Sequence, residues 1–131
     1  MDYLETRTDP LDRVERYAYD LNGNLVQFTD RKNQATGYSY DPLGRRVLTQ
    51  FADGSQVKSL YDLAGRLASI EDTLSGTIAF GYDDLDRLVS EITKQGKVEY
   101  QYDALGRRTA MVVNGGAPVE YDYDANSRLT Q

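Results

Sequence analysis

The sequence predicts an all-β protein built from antiparallel β-hairpin repeats with a period of about 21 residues. The dipeptide Tyr-Asp occurs six times, at intervals of 21, 21, 21, 20 and 21 residues. A second turn signal lies about ten residues from each copy, and the short segments between turns are rich in strand-forming residues. A fixed period near 20 residues indicates one supersecondary unit copied along the chain.

The first turn of each unit carries the pattern Tyr-Asp-x-x-Gly-Arg. Its members are Tyr19, Asp20, Gly23, Tyr40, Asp41, Gly44, Arg45, Tyr61, Asp62, Gly65, Arg66, Tyr82, Asp83, Arg87, Tyr102, Asp103, Gly106, Arg107, Tyr123, Asp124 and Arg128. The Asp side chain can accept backbone N–H bonds from residues just ahead, as in an Asx turn. The Gly supplies a positive φ, and Asp86 and Ser127 replace it in two copies, the latter after the tolerant Asn126. The Arg is expected to pair with the Asp across the turn.

The remaining elements of the unit are two strands and a looser second turn. An aromatic residue precedes the Tyr by two positions in five copies, and apolar or β-branched residues follow the turn. The second turns are exemplified by Asp9–Asp12, Asp30–Asn33 and Asn114–Gly116. Connections this short require antiparallel neighbours, so we expect eleven or twelve strands, with the Tyr side chains in rows across hairpins. Simple alternation puts Val26 and Phe28 on one face and Leu25 on the other, which leaves the buried face undecided.

Composition narrows the classes of partner. The 131 residues carry a net charge of −6, and the basic side chains are interleaved with acidic ones, which argues against a nucleic-acid surface. The chain has no cysteine, no apolar run long enough for a membrane helix and no signal-peptide pattern in its first six residues. We expect residues 1–131 to form one repeat array, and the absence of atypical capping repeats predicts a fragment of a longer repeat protein.

No catalytic or metal site is predicted. The chain lacks His, Cys and Trp, and its carboxylate groups, such as Asp83-Asp84 with Asp86 or Asp122 with Asp124, recur with the turns as structural residues do. The segment Asp20–Asn24 resembles the start of a calcium loop, but Arg31 stands where the twelfth-position Glu would be needed. We therefore expect neither an enzyme nor a cofactor.

The repeats resemble the YD repeats of the Rhs family, which is shared with teneurins and with the C component of insecticidal toxin complexes. The resemblance covers residues 9–131 and includes the stretches TDPLDRVERYAYDLNGNLV and TGYSYDPLGRRVL. It implies a continuous curved or spiralling antiparallel sheet that forms a hollow shell. In the family the shell encloses a toxin or carries adhesive domains. Asp41-Pro42-Leu43-Gly44 matches four residues of the family's self-cleavage segment, but it lies inside an ordinary repeat, so cleavage is not expected there.

Two functions remain open. The first is a structural scaffold, a section of shell whose partners are other YD repeats of the parent chain, other copies of itself, or an enclosed toxin domain. The second is a carbohydrate-binding or adhesion module in which Tyr rows stack on glycans. The resemblance implies a secreted or cell-surface bacterial protein. An isolated sheet this wide is expected either to fold over on itself or to self-associate through its face or edges.

Overall fold

The computed structural model describes residues 3–130, and these form a single antiparallel sheet of twelve strands. The strands are β1 (Tyr3–Thr8), β2 (Val14–Tyr19), β3 (Leu25–Thr29), β4 (Ala35–Tyr40), β5 (Arg46–Gln50), β6 (Gln56–Tyr61), β7 (Leu67–Asp72), β8 (Gly76–Tyr82), β9 (Leu88–Thr93), β10 (Gly96–Tyr102), β11 (Arg108–Val113) and β12 (Val119–Glu120). Their order in the sheet is their order in the chain. The predicted fold class and strand number are therefore confirmed; residues 1, 2 and 131 of the predicted array lie outside the described range.

Because the chain runs back and forth, its turns lie on two opposite edges of the sheet. The YD edge holds the turns at 20–24, 41–45, 62–66, 83–87, 103–107 and 124–128. The opposite edge holds the turns at 9–13, 30–34, 51–55, 73–75, 94–95 and 114–118. The two edges carry different side chains, and the differences decide what each can do.

Every hairpin that closes at the YD edge between β2 and β11 contains a register shift. The shifts fall just before Tyr19, Tyr40, Tyr61, Tyr82 and Tyr102. In the first hairpin Ala18 pairs with Gln27 and Tyr19 pairs with Leu25, so Val26 is the extra residue of a β-bulge. A bulge bends its strand and increases the local twist. Repeated at one edge only, bulges favour the curved sheet that the resemblance implies.

The bulge also corrects the expected assignment of side chains to faces. Leu25 lies opposite Tyr19 and Phe28 lies opposite Tyr17, and both tyrosines share one face of β2. Leu25 and Phe28 therefore share a face, contrary to the prediction from alternation. The prediction was wrong because one inserted residue reverses the parity of everything beyond it.

With the bulges included, the sheet has two chemically distinct faces. The aromatic face carries both aromatic rows together with aliphatic partners such as Leu67, Ile70 and Ile78. The polar face carries mainly small and polar residues, among them Ala18, Gln27, Ser39, Lys58, Ser69, Ala79 and Ser90. Its large apolar residues include Leu4, Leu48, Leu60, Ile92 and Val112.

Neither face is covered by another layer. Ala110 is the one buried residue among those described, at 6% exposure, and contacts between strands join sequence neighbours alone. Across residues 3–130 the sheet therefore does not double over, which removes the first of the two expected outcomes for a wide open sheet. No described segment is a helix of the length and apolarity needed to cross a membrane.

Candidate functional site: the YD edge and the aromatic face

Each YD turn is closed by its own Asp in the way the sequence predicts. At 62–66 the Asp62 N–H donates to the Arg66 carbonyl at 2.9 Å, and the Gly65 N–H donates to the Asp62 carbonyl at 3.0 Å. Asp62 Oδ1 accepts the Arg66 backbone N–H at 2.9 Å. The glycines of the pattern have φ values from 75° to 85°, which L residues rarely adopt. Where Gly is absent, Asp86 and Ser127 themselves take φ 61°, so Ser127 rather than Asn126 bears the left-handed conformation.

In the five YD turns from 41–45 onward, the Arg that follows the turn binds the same Asp. Arg66 Nε lies 2.8 Å from Asp62 Oδ2, and the pairs at Asp83–Arg87, Asp103–Arg107 and Asp124–Arg128 repeat the geometry at 2.7 Å. The Arg66 side chain first, and then its backbone N–H, lower the pKa of Asp62 below its usual range. For Asp83 and Asp103 the larger contribution to the lowered pKa is the backbone N–H bond of the paired arginine. These carboxylates are thus committed to holding turns.

The same arginine reaches the next repeat, a contact that the sequence analysis missed. The guanidinium carbons of Arg45, Arg66, Arg87 and Arg107 lie 4.2, 4.8, 4.9 and 4.8 Å from the ring centres of Tyr61, Tyr82, Tyr102 and Tyr123. A cation over an aromatic ring at this distance is attracted by the ring quadrupole. The signal was available in the sequence, since each of these arginines precedes the next YD tyrosine by 15 or 16 residues.

The YD tyrosines complete the link through their hydroxyl groups. Tyr40 donates to the Leu25 carbonyl at 2.8 Å, and Tyr82 donates to the Leu67 carbonyl at 2.9 Å. The equivalent donors are Tyr61, Tyr102 and Tyr123. Each acceptor stands next to the extra residue of the preceding bulge. The tyrosine of one repeat therefore satisfies a backbone group where the ladder of the previous repeat is interrupted.

The second aromatic row, two positions before the YD tyrosines, is half-buried like the first and has more varied contacts. Tyr17 packs on Phe28 with ring centres 5.1 Å apart, and Arg46 and Arg108 lie over Tyr38 and Tyr100. Tyr100 also donates to Glu91 Oε1 at 2.8 Å. Partial burial, and then this hydrogen bond, raise the pKa of Tyr100. The predicted Tyr rows are thus present, but arginines and backbone carbonyls join neighbouring repeats more often than ring-to-ring stacking does.

The carboxylates considered as catalytic or metal-binding groups do not form a cluster among the described residues. Within residues 3–130 no group of three or more Asp or Glu side chains is placed to hold a metal ion. The carboxylates of Asp20, Asp83 and Asp124 each accept backbone N–H bonds of their own turns. One open depression of the described surface holds Phe28, Asp30, Gln34, Phe51 and Asp53 around a volume of about 230 Å³.

These features define a class of protein: a wall of repeated hairpins, tied repeat to repeat along one edge, with an uncovered aromatic face. The teneurin YD-shell family model matches residues 4–131, and the chain belongs to that family. The Rhs and YD-repeat resemblance is thereby confirmed.

A curated relative and several solved structures are similar to the chain. The probable deoxyribonuclease RhsB of Dickeya dadantii (strain 3937) is 30% identical over 108 residues, which are 82% of this chain and 8% of the relative. The crystal structure of TcdB2-TccC3-Cdc42 matches with a TM-score of 0.76, and a Photorhabdus luminescens Tc holotoxin pore with 0.73, both at 19% identity. Each structural match covers 90% of this chain and 7% of the solved chain. At that identity the structures show the fold alone, and the chain spans under a tenth of the length of these proteins.

Proposed function

We propose that the chain is a wall segment of a hollow YD shell and that its aromatic face receives an enclosed polypeptide. The observation that carries the proposal is the division of the sheet into an uncovered aromatic face and a polar face. A half-exposed surface of Tyr, Phe and Ile offers apolar contact and hydroxyl groups to an unfolded chain without requiring a particular sequence. The similarity to toxin-complex proteins supports a toxin as the natural cargo.

In this proposal residues 1–131 are one array within a longer secreted or cell-surface bacterial protein, and the array has no catalytic activity of its own. The name of the similar Dickeya protein includes a nuclease activity, and this chain corresponds to 8% of that protein. The Asp carboxylates of the YD turns are bound within those turns, which supports placing a nuclease centre elsewhere in a parent chain. The repeat motif residues then serve cohesion of the wall, and no cofactor takes part.

The test is binding of a permanently unfolded polypeptide, such as reduced and carboxymethylated α-lactalbumin, followed by tyrosine fluorescence of the chain. We expect saturable binding that is weakened when Ile70 and Ile78 on the aromatic face are both changed to Ser. A matched double change of Leu60 and Ile92 to Ser on the polar face should leave binding unaltered. Circular dichroism verifies that both variants keep the sheet. Absence of binding, or loss only in the polar-face variant, would contradict the proposal.

A glycan is the second candidate ligand, and the depression beside Phe51 favours it. Phe51 is 42% exposed and lines this depression together with Asp30 and Asp53. An aromatic platform beside polar acceptors suits one sugar ring, although about 230 Å³ is below the size of most ligand pockets. Titration with a panel of oligosaccharides tests this candidate; a fluorescence change that Phe51→Ala abolishes would support it, and a flat response across the panel would eliminate it.

A further inference from the structure

The YD edge carries a row of exposed leucines at the tips of its turns. Leu21, Leu43, Leu63, Leu85 and Leu105 occupy the five consecutive turns from 20–24 to 103–107, and each is at least 71% exposed. Turn tips are ordinarily filled by Gly, Asn, Asp, Ser or Pro. Leu21 and Leu63 directly follow the Asp of their turns, and the other three leucines stand one residue further on. An exposed apolar side chain at the tip of each of five consecutive turns is unusual for a surface that meets only water.

The turns that carry the leucines recur regularly along the edge, and their spacing restricts what can pack along the row. Successive tips are two strands apart, which is about 10 Å in a β-sheet. Residues on one face of a partner strand recur at about 7 or 13 Å along the strand, which does not match the spacing of the tips. Apolar residues one heptad apart on a partner helix recur at about 10.5 Å, which is close to that spacing. A helix would drift out of step by a few ångströms over five tips, whereas a second row of the same repeat stays in step over its whole length.

Charge does not prevent two such edges from meeting. The carboxylates of Asp41, Asp62, Asp83 and Asp103 are each paired with the arginine of their own turn. Asp86, on the turn tip itself, is paired with Arg66 of the neighbouring turn at 2.6 Å. Ion pairs within one chain thus neutralise most carboxylates beside the leucine row; the exceptions are Asp20, which is bound by Asn24, and the exposed Asp84. Two copies therefore bring limited unpaired like charge together.

We propose that the leucine row is a contact surface for a second copy of this chain, related by a two-fold axis. Such an axis aligns the rows in opposite directions, so that Leu63 faces its own copy, Leu43 faces Leu85 and Leu21 faces Leu105. A strip about 45 Å long and about 10 Å wide on each copy amounts to roughly 900 Å² in total, slightly under the ~1,000 Å² that a stable specific interface needs. The pairing is therefore weak, with a dissociation constant in the micromolar range. This inference concerns the edge and stands whether or not the aromatic face receives a polypeptide.

The first experiment measures the mass of the chain by sedimentation velocity over a range of micromolar concentrations. The wild type should show a monomer–dimer equilibrium, and Leu43→Gln with Leu63→Gln should weaken it at least about tenfold. The matched control changes Leu11 and Leu74, two equally exposed leucines at the opposite edge, to Gln and should leave the equilibrium unchanged. A monomeric wild type, or a dimer that survives the Leu43 and Leu63 changes, would overturn the proposal; the latter result would assign association to a strand edge or a sheet face.

A second experiment tests the symmetry. The chain has no cysteine, so a single Leu63→Cys substitution introduces one thiol at the middle of the row. Under mild oxidation it should form a disulfide-linked dimer much faster than Leu74→Cys at the opposite edge, since a disulfide needs Cα atoms within about 7 Å. Equal rates for the two variants would contradict the two-fold arrangement. Peptide-induced fluorescence changes at the aromatic face are a separate measurement, so failure of either proposal leaves the other testable.

Discussion

The two edges of the sheet are built from the same kind of hairpin and differ in how one hairpin meets the next. At the YD edge, tyrosine hydroxyls cross to the preceding repeat and arginines to the next, with little variation from Arg45 to Tyr123. At the opposite edge the links are of two kinds: Arg31 reaches Glu15 at 3.1 Å, whereas the side-chain oxygens of Thr73 and Asn114 accept the backbone N–H groups of Gln56 and Lys97.

The difference shows which part of the unit is under structural constraint. A YD turn has side chains that contact both neighbouring repeats, and its sequence is repeated closely. A turn at the opposite edge, whose contacts with neighbours vary in kind, changes more in length and composition. Phe51 illustrates this variation, since it stands where Asp9 and Asp30 stand in the two preceding turns of the opposite edge and the same backbone bonds close around it. Substitutions at equivalent positions of the two edges should therefore have unequal effects.

Truncation of an aromatic side chain should give the largest difference in lost stability between the YD edge and the opposite edge. Tyr82→Ala removes the ring under Arg66 and the hydroxyl bond to Leu67, and should cost about 2–4 kcal/mol of the free energy of unfolding. Phe51→Ala at the opposite edge removes a ring that is already 42% exposed and should cost less than about 1 kcal/mol. Urea unfolding followed by circular dichroism gives both values. Equal losses would show that the YD edge has no special part in cohesion.

Replacement of a turn glycine should give a smaller difference in stability between the two edges. Gly65 and Gly54 both have φ 85°, so replacing either by Ala costs about 1–2 kcal/mol for the left-handed conformation alone. A Cβ at Gly65 would also stand 3.2 Å from an Arg45 nitrogen, whereas nothing lies within 4 Å at Gly54. Gly65→Ala is therefore expected to lower the thermal midpoint more than Gly54→Ala. The reverse order would show that the arginine yields without cost.

Acid should weaken the wall through the YD carboxylates. The hydrogen bonds from Arg66 lower the pKa of Asp62, so the unfolded chain binds a proton more readily than the folded one. The stability contributed by this group is present above the unfolded pKa near 3.9 and is lost as pH falls through the lower folded pKa. Thermal unfolding from pH 7 to pH 3 should show a smaller loss in Asp62→Asn than in the wild type. Asp84→Asn, which changes an exposed neighbouring carboxylate, provides the control, and identical pH profiles for all three proteins would contradict the assignment.

The smallest expected effect is a gain in stability at the YD edge. The first YD turn has Asn24 at the arginine position, where its side chain binds Asp20 at 3.0 Å. Asn24→Arg supplies a guanidinium within reach of the Tyr40 ring and should stabilise the chain by about 0.5–1 kcal/mol. The comparable change Gln34→Arg at the opposite edge should be near neutral. A destabilised Asn24→Arg variant would show that the arginine–tyrosine contact is incidental.

Sequence periodicity was sufficient for the strands, the turns and the Asp–Arg pairs, because all of these are local and recur in every copy. It failed for the faces of β3, where the extra residue Val26 reversed the alternation. It also missed the contacts between Arg66 and Tyr82, which depend on how far one hairpin stands from the next. The exposed leucines were visible as letters, but their common edge emerged only once the turns were placed in order along the sheet.

Amide hydrogen exchange tests the central claim, that contacts between repeats make the YD edge cohere, most directly. The amides of Asp62 and Phe51 make the same turn-closing bond, at 2.9 Å, to the carbonyls of Arg66 and Ser55. If contacts with neighbouring repeats hold the YD edge together, the Asp62 amide should exchange at least about tenfold more slowly than the Phe51 amide after correction for intrinsic rates. Equal protection at the two amides would contradict the account.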